Sequence, residues 1–178
     1  LTAAGSGSRS ADVAIVLTAR LPPSGGAVTD TLTITRNVYD ADGKAGPPVQ
    51  EKVSVTLPAS GTDGLRYDVF SRIALAPGRY QIRLNARSAV LDRSGSVFAD
   101  VEVPDFTRSA LTVTAIALGT VPPPASPRTD PLAALLPIVP TSAREFAPGE
   151  AVVAFCRVSQ GGTAALVPVA MKVLVLDV

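Results

Sequence analysis

The run Asp92-Arg-Ser-Gly-Ser96 has the spacing D-x-S-x-S. One carboxylate and two hydroxyls so placed can hold a hard cation when distant loops add further oxygen ligands. An alternating, strand-like stretch follows, Val97-Phe-Ala-Asp-Val-Glu-Val103, so the run reads as a hairpin loop whose polar residues serve the backbone. Asp40-Ala-Asp-Gly43 resembles the start of a calcium loop, with Glu51 at its twelfth position, but the intervening ligands and flanking helices are missing. It reads as a turn, with Gly43 supplying a positive φ. Arg79, Arg83 and Arg87 fall on one face of a strand and form a basic stripe that Arg66 and Arg72 would extend. A ligand carboxylate or glycan fits such a stripe. The expected occupants are cross-strand partners, Asp100 and Glu102. Cys156 shares a strand parity with Val152, Ala154 and Val158 and reads as a small core residue, since a reactive thiol needs exposure and a positive neighbour.

The composition removes several classes of chemistry. The 178 residues contain no His, which excludes Ser-His and Cys-His nucleophile pairs, His bases and His metal ligands. A single Cys excludes an internal disulfide and multi-cysteine zinc sites. No catalytic, cofactor-binding or metal residues are assigned, and the chain reads as non-enzymatic. Lys and Arg number 16 against 15 Asp and Glu, a balance that favours no nucleic acid partner. No apolar run reaches the roughly 18 residues of a membrane span, and no signal peptide stands at the start.

Period-two alternation dominates the elements that must carry these residues. In Arg79-Tyr-Gln-Ile-Arg-Leu-Asn-Ala-Arg87, Tyr80, Ile82, Leu84 and Ala86 fall on one face and polar residues on the other. Further strands are expected at 11–20, 31–39, 49–57, 65–75, 95–103, 110–118, 151–158 and 166–177. The best helical stretch is Pro131-Leu-Ala-Ala-Leu-Leu136, two turns at most. Leu75-Ala-Pro-Gly-Arg-Tyr80 matches the corner of immunoglobulin-like sandwiches where a tyrosine hydroxyl reaches back to the backbone. For the hairpin 79–88 with 95–103, matching apolar faces places Tyr80 by Val103, Ile82 by Val101, Leu84 by Ala99 and Arg83 by Asp100.

The expected fold is therefore all-β, an immunoglobulin/fibronectin-like antiparallel β-sandwich followed by a second, incomplete one. Residues 1–10 read as a flexible linker, 11–104 as the sandwich, and 105–178 as a second, truncated β-rich domain with a Pro-rich connection at 119–140. The last strand ends without a turn, which reads as a cut fragment. On this division, a chain ending near Phe106 is expected to behave better than the whole.

Three segments together resemble a known family. They are Leu75-Ala-Pro-Gly-Arg-Tyr-Gln-Ile-Arg-Leu-Asn-Ala-Arg87, Gly95-Ser-Val-Phe-Ala-Asp-Val-Glu-Val-Pro-Asp-Phe106 and Pro140-Thr-Ser-Ala-Arg-Glu-Phe-Ala-Pro-Gly-Glu150. The set is similar to the β-rich region that follows the type A domain in bacterial, notably acidobacterial, von Willebrand factor A-related proteins, over about residues 30–178. The D-x-S-x-S spacing also occurs in type A domains, but that domain is not part of this chain and none of its metal residues carries over. The resemblance implies an exported, extracytoplasmic spacer or protein-interaction module, with a protein partner and no cofactor. The alternative is an accessory carbohydrate-binding module of a secreted hydrolase, against which stands the lack of Trp, with three Tyr and five Phe.

Overall fold

The computed structural model describes residues 2–5, 10–22, 25–57, 59, 65–123, 131–163 and 165–174. Eleven strands occur among them and no helical element. They are β1 (Thr2–Gly5), β2 (Ala11–Leu21), β3 (Val28–Asp40), β4 (Val49–Leu57), β5 (Leu65–Leu75), β6 (Gly78–Ser88), β7 (Arg93–Val103), β8 (Thr112–Val113), β9 (Ala117–Val121), β10 (Ala151–Phe155) and β11 (Val158–Ser159). Every ladder is antiparallel.

The first seven strands build a β-sandwich. One sheet has three strands in the order β1-β2-β5, the other four in the order β4-β3-β6-β7. Alternation fixes which residues meet between them. Ala11, Val13 and Ile15 of β2 pack with Ile82 and Val103, and Leu32, Ile34 and Val55 pack with Tyr67 and Val69. The stretch expected to be a linker contributes β1, which pairs along β2 from Thr2 opposite Ala14 to Gly5 opposite Ala11. Small residues there leave the backbone free to join a ladder, which a reading based on linker composition passes over.

The β6–β7 hairpin keeps the expected face but slides by two residues. Tyr80 lies opposite Val101, Ile82 opposite Ala99, Leu84 opposite Val97 and Arg83 opposite Phe98. Apolar parity is satisfied equally by either register, and the loop decides between them. The Asp30 carboxylate accepts N–H bonds from Ala89 at 3.1 Å and Val90 at 3.0 Å. It also accepts the Ser88 hydroxyl at 2.6 Å, and Ser88 Oγ in turn accepts Leu91 N–H at 3.0 Å. These bonds set a short loop at 89–92, closed by Asp92 with φ 46°.

The residues after Val103 form two two-stranded ladders, β9 with β10 and β8 with β11. The expected strand at 110–118 divides at Thr114, and that at 151–158 divides at Cys156-Arg157. The two breaks match: Thr114 N–H bonds the Arg157 carbonyl at 2.9 Å, and Arg157 N–H bonds Thr114 Oγ1 at 2.8 Å. The expected strand at 166–177 forms no ladder over 165–174, and 175–178 lie outside the described residues. Pro168 lacks an N–H for a ladder. At Val167 the Gln160 side-chain amide takes the place of a neighbouring strand, donating to its carbonyl at 2.6 Å and accepting its N–H at 3.0 Å.

This portion does not stand apart from the sandwich at Pro104. Leu132 and Leu136, on a turn closed by Leu136 N–H to the Leu132 carbonyl at 2.9 Å, seat against Ala14 and Phe70, together with Ala117. Ala14 and Phe70 belong to the outer face of the three-stranded sheet, so that face is a second core. In the expected Pro-rich connection, 124–130 lie outside the described residues.

Candidate functional site

The wet face of the four-stranded sheet carries the arginine stripe, and each arginine there has company. Arg79 lies 3.6 Å from Glu102, and Arg87 lies 2.7 Å from Asp92. The Arg83 guanidinium stacks 4.5 Å from the Tyr39 ring centroid and donates to Gln81 at 2.7 Å, while Gln81 takes the expected partner Asp100 at 3.1 Å. Arg66 and Arg72 do not extend this stripe, because β5 lies in the other sheet. Phe98, opposite Arg83, is 70% exposed.

The two metal-like spacings are hairpin chemistry here. Asp92 sits in the 89–92 loop paired with Arg87, and Ser96 accepts a bond from Asn85 across the ladder at 2.9 Å. Asp40 accepts N–H bonds from Asp42 at 3.1 Å and Lys44 at 2.9 Å, and Gly43 follows with φ 75°. Among the described residues no group of three or more His, Cys, Asp or Glu is placed to hold a metal ion. Cys156 is half-buried, not a core residue, because the strand ends at Phe155. The Tyr80 hydroxyl donates to the Ala76 carbonyl at 3.1 Å, as the corner motif implies.

The polar site that sequence reasoning missed lies on the outer face of the three-stranded sheet. Outward positions on β2 and β5 oppose Thr18 to Asp68 and Arg20 to Arg66. Asp68 is fully buried. The Thr18 hydroxyl bonds it and also meets Ser142 Oγ. Thr141 donates to Asp68 at 3.0 Å and accepts from Arg66 Nη2 at 2.7 Å. Residues from 124 positions apart thus share one network that latches the 141–145 stretch to the sheet. Arg20, Arg66, Arg144, Thr18, Ser142 and Glu145 line an open pocket of about 590 Å³ above it. The alternation Arg66-Tyr-Asp-Val-Phe70 was the available signal: it puts a carboxylate on the same face as Phe70, a face that only a cover can dry.

A second cleft of about 340 Å³ opens between the sheets beside β7, with Leu17, Leu32, Leu84, Leu91 and Val97 among its walls. No family model matches this chain, and neither a curated protein nor a solved structure matches it. No helix among the described residues is long and apolar enough to cross a membrane.

Proposed function

We propose that the chain is a non-catalytic spacer or protein-interaction module of an exported, extracytoplasmic, von Willebrand factor A-related protein of bacteria, its seven-stranded body a fibronectin-like variant of the immunoglobulin sandwich. The strand orders and the Tyr80 corner bond support the fold assignment. One observation carries the interaction reading: the apolar surface left open after Val103. Val152 and Val153 point to opposite faces of β10, yet both are exposed, and so are Ile116, Val121, Leu166 and Val173. Large apolar side chains left exposed on both faces of one ladder are what contact with another protein would cover. The coding sequence flanking residues 1–178 tests the reading. A type A domain in the same frame is the expected finding, and a hydrolase domain in its place would overturn it.

The second reading, a carbohydrate-binding module, is favoured by Phe98, which stands exposed beside Arg83 on the wet sheet face. A sugar ring stacks on such an aromatic while Arg and Asn side chains bond its hydroxyls. Depletion of the chain from solution by insoluble polysaccharides, abolished in Phe98→Ala, would establish this reading over the first.

A further inference from the structure

The pocket over Asp68 holds a charge arrangement that its own residues leave unbalanced. Arg20 and Arg66 are directly opposed across the β2–β5 ladder. Like charges in that position destabilise a sheet. Asp68 neutralises Arg66 only in part. The Arg20 side chain forms no hydrogen bond or ion pair with any described residue. Arg66 reaches hydroxyls with Nη2, while its Nε is buried without a hydrogen-bond partner, and the nearest Asp68 oxygen is 3.7 Å away. The Asp68 carboxylate is itself occupied by the Thr18 and Thr141 hydroxyls. Arg144 enters from the loop and spends Nη1 on the Ala143 carbonyl at 2.7 Å.

Three guanidinium groups therefore line one open pocket with the Thr18 and Ser142 hydroxyls, against two carboxylates, Asp68 sequestered beneath and Glu145 beside them. The excess is one positive charge. The lining has no aromatic ring, so stacking does not select the ligand. The Thr18 proton is given to Asp68 and the Ser142 proton to Thr18, so the guanidinium forks are the donors, and they match a compact oxyanion. We propose that this pocket binds a singly charged oxyanion, a carboxylate or a sulfate ester carried by a larger molecule. The ligand relieves the repulsion between Arg20 and Arg66, and Glu145 competes with it.

Amide and arginine Nε–H spectra of the full chain, titrated with sodium acetate and separately with sodium methyl sulfate at constant ionic strength set by sodium chloride, test this. Saturable shifts confined to Thr18, Arg20, Arg66 and 142–145 are expected, and the salt that binds tighter identifies the group. Arg20→Ala and Arg144→Ala should each weaken binding about tenfold. Neither residue bonds the Asp68 network, so both variants should keep the parent spectrum elsewhere. Glu145→Gln should tighten binding about threefold. Absence of saturable shifts with both salts, or equal affinity in the Arg20→Ala, Arg144→Ala double variant, would overturn the proposal.

Discussion

Asp30 shows how one side chain can set the geometry of a distant loop. It sits buried at the end of the inward face of β3 and accepts the Ser88 hydroxyl and the N–H groups of Thr31, Ala89 and Val90. Burial alone pushes its carboxyl up, but the Ser88 hydroxyl and the N–H groups of Val90, Thr31 and Ala89 outweigh that and hold it below the ordinary carboxylate range. A carboxyl whose folded-state pKa is depressed adds stability that is present above its unfolded value, about 3.9, and is lost as pH falls through the folded value. Asp30→Asn should therefore cost about 1–3 kcal/mol at pH 7, with the gap to the parent closing below about pH 4. Urea midpoints at pH 7, 5 and 3 check this, and a gap unchanged at pH 3 contradicts it. Tyr80→Phe removes the bond to Ala76 and should lower stability by about 0.5–1.5 kcal/mol. An unchanged denaturation midpoint would count against a corner role.

At the level of elements, Leu132 is the plug between the outer sheet face and the chain that covers it. It is fully buried against Ala14 and Phe70. Leu132→Ala should cost about 2–5 kcal/mol, read from the shift in thermal midpoint. A cost under about 0.5 kcal/mol would mean that the cover contributes little. The strands of the four-stranded sheet were legible because their outer face is wet, as Arg79–Arg87 shows. The cover was also written in the sequence, less plainly. Ala11-Asp-Val-Ala-Ile-Val-Leu17 is apolar at both parities beyond Asp12, the pattern of a strand covered on both faces. The β6–β7 register was not legible, because the residue that fixes it, Asp30, stands 58 to 60 positions from the atoms it bonds. The Arg20–Arg66 opposition was hidden for a similar reason: neither residue is unusual until β2 and β5 are paired.

For the whole molecule, the packing argues against one expectation. A chain ending at Phe106 keeps the sandwich strands but strips Leu132, Leu136, Thr141 and Ser142 from the outer face. Ala14, Val16 and Phe70 would meet water, and Asp68 would lose its Thr141 bond. The shortened chain should melt lower and associate more readily than the full chain, contrary to a two-domain division. The full chain should also self-associate through its open apolar surface, which sedimentation velocity would register as a concentration-dependent coefficient. A coefficient independent of concentration would contradict that. Residues after Val103 should behave as a cover folded as one unit with the sandwich, latched at Asp68. Native-state hydrogen exchange of the full chain across a urea series reads this. Amides of β2, β5, β9 and Leu136 should converge on a single unfolding free energy, and Asp68→Ala should lower all of them together. Loss of protection in β9 and at Leu136 at lower urea, with β2 and β5 unmoved, would contradict the claim.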